Sequence, residues 1–78
     1  MFTIYSKAGC PFCHKVQEIM TLGNFEHEIK RLGIDYTSEE FYSEFGEGST
    51  FPQVILDGQK LGGCVDTAQY IADNNLIK

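Results

Sequence analysis

Two cysteines separated by two residues, Cys10-Pro11-Phe12-Cys13, constrain this chain more than any other feature. They follow an apolar run, Phe2-Thr3-Ile4-Tyr5, and precede a stretch with helical periodicity. A Cys-x-x-Cys at a strand-to-helix junction reads as a thiol–disulfide exchange site. Pro11 suits the first turn of a helix, where its missing N–H would have had no partner. Cys10 is therefore expected at the helix N-terminus, where free N–H groups and the positive end of the dipole favour a thiolate. Its thiol should ionise well below the value of about 8.5 usual for a free cysteine, and its sulfur should face water. Lys7 adds a positive charge upstream. Cys13, one turn further in, is expected to be less exposed and close enough to form a disulfide. Cys10 then attacks, and Cys13 resolves the mixed disulfide that follows.

Length and composition set the surroundings of this junction. Seventy-eight residues suffice for one small domain, 1–78, near the lower limit for a core without staples. Three cysteines make a poor disulfide framework, so the pair reads as catalytic or metal-binding. The chain starts on a strand-like run without the regions of a secretory signal, and no stretch is long enough to span a bilayer. This leads us to expect a cytoplasmic protein. A formal net charge of −5 argues against nucleic acid or an anionic membrane as the main partner.

Met1–Tyr5 reads as a buried strand. From Pro11 to about Leu22, Phe12, Val16, Ile19 and Met20 recur at helical spacing, and Gly23 is the expected stop. Phe25–Lys30 alternates weakly, as in a strand with one exposed face. Thr37-Ser38-Glu39-Glu40 has the capping-box form and opens a helix carrying Phe41, Tyr42 and Phe45, which ends at Gly46 or Gly48. Gln53–Asp57 is β-rich, and Asp57-Gly58 is a two-residue hairpin turn into Lys60-Leu61. After Gly62-Gly63, Asp66 is expected to cap a last helix whose apolar positions are Ala68, Tyr70, Ile71 and Ala72. The order β-α-β-α-β-β-α predicts an α/β fold: a mixed four-stranded sheet, with one right-handed parallel crossover and one hairpin, flanked by three helices.

With these residues in place, the whole chain resembles the glutaredoxins of the thioredoxin superfamily, and its compactness is nearest the short bacterial and phage members. Lys7-x-x-Cys10-Pro11-Phe12-Cys13 looks like the family's Cys-Pro-Tyr-Cys site with its upstream lysine. Thr50-Phe51-Pro52 resembles the Thr-Val-Pro segment with its cis proline, and Gly62-Gly63-Cys64-Val65-Asp66 the segment that closes the glutathione site. The resemblance implies a thioredoxin-like fold and a monomeric dithiol oxidoreductase. It would use glutathione as co-substrate and no bound cofactor, with disulfide-bearing client proteins that include ribonucleotide reductase. It also implies a potential of roughly −200 to −230 mV. Glutathione would contact Lys7, Phe12, Thr50, Phe51, Pro52, Gly63, Cys64, Val65 and Asp66. A cis Pro52 would turn the Phe51 backbone outward to pair with an extended peptide, although Pro52 also fits the plain start of a strand. The N–H groups of Cys64, Val65 and Asp66 offer a carboxylate site at a helix start. By resemblance this site takes the γ-glutamyl end, while Lys7 takes the glycine carboxylate.

Four departures bear on affinity. Phe12 lacks the usual tyrosine hydroxyl, and Val65 replaces a polar residue. Glu39 aligns where the family often has Gln or Arg, and Ser49 where it often has Arg. Glutathione binding weaker by about 1–2 kcal/mol is expected if two charge-assisted bonds are missing. Other classes use the same residues. Cys10-x-x-Cys13-His14 spells a haem-attachment pattern, but that needs export and a helical scaffold. Cys10, Cys13, His14, His27 and Cys64 offer the side-chain types of an N/S zinc site, yet a second Cys-x-x-Cys or His-x3-His is missing. An iron–sulfur cluster shared through Cys10 goes, in this family, with a Cys-Gly-Phe-Ser site. No metal is therefore expected. Cys64 reads as a half-buried small apolar residue. The sequence leaves open whether glutathione or a flavoprotein reductase recycles the disulfide.

Overall fold

The strand after Met1 becomes the middle of the sheet because both of its faces find cover. In the computed structural model, which describes residues 1–76, β1 (Phe2–Ser6) turns Phe2, Ile4 and Ser6 to one buried face and half-buries Thr3 and Tyr5 on the other. The chain continues through α1 (Pro11–Leu22), β2 (His27–Arg31), α2 (Ser38–Phe45), β3 (Gln53–Leu56), β4 (Gln59–Gly62) and α3 (Cys64–Asp73). The sheet order is β2-β1-β3-β4. β1 and β2 run parallel, with Phe2 opposite His27 and Ser6 opposite Arg31. β3 pairs antiparallel with both β1 and β4. This is the predicted element order and the predicted mixed sheet; strand ends differ by a residue or two.

Each face of the sheet carries its own core. On one, Phe2, Ile4 and Val54 meet Val16 and Met20 of α1 and Ile71 of α3. On the other, Tyr5 packs edge-on against Tyr36 and Phe45, and Phe41 of α2 fills the space beneath. Phe41 is fully buried, so this smaller aromatic cluster is as dry at its centre as the first. Burying one such side chain contributes about 1.5–3 kcal/mol.

The helix ends follow local chemistry. Pro11 opens α1 as expected, and Thr37 and Glu40 form both reciprocal bonds of the capping box at α2. Asp57 and Gly58 both take positive φ (48° and 89°), the backbone of a primed hairpin turn. Two expectations need correction, at Phe12 and in the buried face of α3, and two hold in a form of their own, at Gly23 and Asp66. Phe12 is not on the buried stripe of α1, which is Cys13, Val16 and Met20; Phe12 is 56% exposed. Gly23 does end α1, but its φ is −82°; the left-handed residue is Asn24, followed by Phe25 N–H donating to the Met20 carbonyl. Gly23 is needed for space, since a Cβ there would run into the Phe25 ring. Asp66 is the third residue of α3 and not its N-cap; Gly63 is the N-cap, and the Asp66 carboxylate reaches back to accept its N–H at 3.2 Å. Finally, α3 buries Thr67 and Ile71 while Ala68 and Ala72 are exposed. Thr67 is tolerated inside because its hydroxyl donates to the Gly63 carbonyl at 2.8 Å.

Candidate active site

The cysteine pair sits where β1 hands over to α1. Cys10 is the N-cap of α1 and Cys13 its third residue, with Cα atoms 5.2 Å apart, and the two are joined as a disulfide. The Cys13 N–H donates to Cys10 Sγ at 3.3 Å, which puts a backbone dipole on the sulfur at the positive end of the helix. Cys10 is the more exposed of the two, at 6% against 2%, but in the disulfide it is buried, contrary to the expectation of a sulfur open to water. Two surface depressions adjoin the start of α1: Phe12 lines one and Cys13 the other.

The first depression, about 200 Å³, is lined by Phe12, Thr50, Phe51, Pro52, Gly63, Cys64, Val65 and Asp66. Every residue expected to contact glutathione, except Lys7, thus lines one cleft. Its floor comes from the Phe51–Pro52 peptide, which is cis, with Pro52 buried. Phe51 stacks on Phe41 with centroids 4.0 Å apart, so the aromatic core behind the sheet holds this loop in place. Lys7 Nζ lies over the outer face of the same ring, 4.9 Å from its centroid. The far wall is the N-terminus of α3, where the N–H groups of Cys64, Val65 and Asp66 have no acceptors within the helix. Gly62, at φ 107°, lets the Asp66 carboxylate fold over that end; a Cβ at Gly62 would come within 2.5 Å of Asp66 Oδ2. Burial pushes the Cys64 thiol up, and Lys15 offsets this only in part.

Other candidates lie elsewhere. Glu39 lines a separate depression with Ser38, Tyr42, Ser43 and Glu47, so it brings no charge into the cleft. The Ser49 hydroxyl donates to the Phe45 carbonyl at 2.7 Å and is committed to the end of α2. His14 is exposed, and His27 Nδ1 pairs with the Phe25 carbonyl at 2.9 Å. Among the described residues, no three of His, Cys, Asp or Glu are grouped so as to hold a metal ion. No described helix is long and apolar enough to cross a membrane.

Two supporting residues escaped the sequence reading. Tyr36 hydroxyl donates to the Ser6 carbonyl at 2.6 Å and so anchors the segment that carries Lys7. Burial, then Tyr5 and Asp35, push its phenol up to about 12. Nothing in the Gly33–Tyr36 stretch signals this role. Arg31, the last residue of β2, lines the second depression together with Lys7 and Cys13.

A redox-active pair opening the first helix, on a sheet that starts with a parallel β-α-β crossover and carries a cis-proline loop, defines a thiol–disulfide oxidoreductase of thioredoxin-like fold. The comparisons with known proteins narrow the class. The glutaredoxin family model matches residues 2–61. Glutaredoxin 1 of Rickettsia prowazekii is 35% identical over 78 residues, covering 96% of this chain and 81% of that protein. Glutaredoxin 3 of Escherichia coli K12 is 34% identical over 64 residues, 81% of this chain and 76% of its own length. The crystal structure of glutaredoxin 1 from Francisella tularensis superposes with a TM-score of 0.78 at 25% identity, covering 99% of this chain and 96% of that one. This chain belongs to the glutaredoxin family, and its Cys10–Cys13 pair fits the dithiol type.

Proposed function

We propose that the chain reduces client disulfides at the expense of glutathione, and that the cleft beside Phe12 seats the tripeptide. One observation supports the reading: a single cleft brings together an apolar wall, a cis-proline loop and an unpaired helix N-terminus. An extended peptide with a carboxylate at each end suits such a surface. Its γ-glutamyl carboxylate would accept from the Cys64 and Val65 N–H groups. The ammonium of the same residue would pair with Asp66, and Lys7 would meet the glycine carboxylate.

In the forward half-cycle the Cys10 thiolate attacks one client sulfur, and the other client sulfur leaves as a thiolate. Cys13 loses its proton to water and attacks Cys10 Sγ, expelling the second client thiolate and closing the Cys10–Cys13 disulfide. Two electrons have then passed to the client. One glutathione thiolate reopens the pair at Cys10, releasing Cys13. A second attacks the bound glutathione sulfur, which regenerates Cys10 and yields glutathione disulfide. Such a cycle suits a monomer in the cytoplasm, where thiols are kept reduced. Ribonucleotide reductase is the client suggested by the family resemblance.

Turnover of a glutathione mixed disulfide with glutathione and its reductase tests the proposal. Cys10→Ser should abolish it, and Cys13→Ser should retain it while losing reduction of protein disulfides. Equal loss of both activities in Cys13→Ser overturns the division of roles. Efficient recycling only by a thioredoxin-reductase-type flavoprotein overturns the glutathione dependence.

A further inference from the structure

The second depression, about 220 Å³, has Cys13 in its wall and shares no lining residue with the cleft described above. Cys13 and His14 form one side, Lys7 to Gly9 the rim, and Arg31, Leu32 and Ile34 the other side. Two properties set it apart. No Asp or Glu lines it, although the chain as a whole carries eleven acidic residues against six Lys and Arg. The ion pairs of the described residues, Met1 N-terminus with Asp57 and Lys60 with Glu44, use neither Lys7 nor Arg31. Asp35, on the same loop, directs its carboxylate to the Arg31 backbone N–H at 2.8 Å. The pocket is thus a positive patch on a negative body. It also has an apolar lip: Ile34 is 78% exposed beside half-buried Leu32.

This surface is built in advance. The Leu32 N–H donates to the Ser6 carbonyl at 3.0 Å, Ile34 and Asp35 donate to the Arg31 carbonyl at 3.1 and 2.8 Å, and the Gly33 N–H donates to the Tyr36 carbonyl at 2.8 Å. A loop held by four backbone bonds loses little further freedom on binding.

We propose that this pocket receives the client polypeptide itself, through an acidic segment flanking the reducible disulfide. A client carboxylate pairs with Arg31, and an adjacent aliphatic side chain packs on Leu32 and Ile34. Glutathione has no aliphatic side chain for that lip, which is why a polypeptide fits better than a second molecule of the tripeptide. Because Cys13 lies in the pocket wall, a client bound there stands beside the disulfide, and the first cleft, which shares no lining residue with it, remains open. The inference rests on the exchange chemistry of the family and is independent of glutathione binding.

The test uses a single bond exchange without glutathione. In the Cys13→Ser background, the Cys10 thiolate attacks the cysteine sulfur of a synthetic peptide bearing a thionitrobenzoate mixed disulfide. The Cys10–peptide disulfide forms, and thionitrobenzoate leaves as a coloured thiolate whose release is timed by stopped flow. Three peptides differ only in Glu-Leu, Gln-Leu or Lys-Leu next to the cysteine. The second-order rate should fall in that order, the acidic peptide exceeding the neutral one by about fivefold at low salt, and the gap should shrink in high salt. Adding Arg31→Gln, an exposed change, should cut the acidic advantage to below about twofold. Adding Ile34→Ser should slow all three peptides while keeping their order. Equal rates for the three peptides, or an acidic advantage untouched by Arg31→Gln, would overturn the proposal. Neither outcome would alter turnover with glutathione and its reductase, so the two readings fail separately.

Discussion

Replacing Asp66 by Asn separates what this carboxylate does for the helix from what it does for a ligand. Asp66 Oδ2 accepts the Gly63 N–H at 3.2 Å, and Oδ1 takes no hydrogen bond among the described residues. Asn keeps an acceptor for Gly63 and loses only the charge at the start of α3, a loss of about 0.3–1 kcal/mol. For a domain of this size that lowers Tm by a few degrees, taking about 4–8 °C per kcal/mol. Ala would also remove the capping bond and cost about 0.5–2 kcal/mol more. The ligand term differs. A charged hydrogen bond from the γ-glutamyl ammonium contributes about 1.5–3 kcal/mol when dry, and exposure at Asp66 brings it towards 1 kcal/mol. That corresponds to a loss in affinity of about fivefold. Calorimetric titration with S-methylglutathione, which cannot exchange, reads this directly. The same ligand without its α-amino group is the control: Asp66→Asn should weaken the first about fivefold and leave the second within about twofold. If both ligands weaken equally, or if Asp66→Asn binds as tightly as the unaltered chain, then Asp66 does not meet the ammonium and the seating of the tripeptide is wrong.

Three further outcomes follow from other parts of the molecule. Cys64 should alkylate with iodoacetamide far more slowly than Cys10 in the reduced protein at neutral pH, because burial raises its thiol; comparable rates by mass spectrometry would contradict this. Phe41→Ala should lower stability by about 3–5 kcal/mol in urea unfolding, since it empties the centre of the aromatic cluster. It should also raise KM for glutathione by removing the ring beneath Phe51, and an unchanged KM would show that the loop holds itself. Tyr36 has a folded pKa raised from 10.0 to about 12, so its contribution is complete below pH 10 and is lost as the pH rises from 10 towards 12. Tyr36→Phe should remove a decrement on the order of 1–3 kcal/mol from the alkaline limb of the stability–pH curve. An identical limb would place the alkaline titration elsewhere.

Much of the fold could be read because its signals are local. Pro11 marks the start of α1, Thr37 and Glu40 declare their helix through bonds within one turn, and Asp57-Gly58 needs only its own backbone. The misreadings came where one side chain had two uses. Phe12 fits the helical spacing of Val16 but is exposed, because Cys13 takes the inward position and serves both chemistry and core. Thr67 looked polar and is buried, since a carbonyl one turn back satisfies its hydroxyl. Glu39 and Ser49 were aligned by position along the chain, whereas their directions depend on how α2 settles on the sheet. Tyr36 could not be found at all: its partner, the Ser6 carbonyl, is thirty residues away and presents no side chain to pattern against.

The placement of the pair at the N-cap and third position of α1 has a mechanical consequence. One helical turn already brings neighbouring side chains on one face to within about 5–6 Å, and the two Cα atoms stand 5.2 Å apart. Making and breaking the sulfur bridge therefore asks for little travel of the main chain.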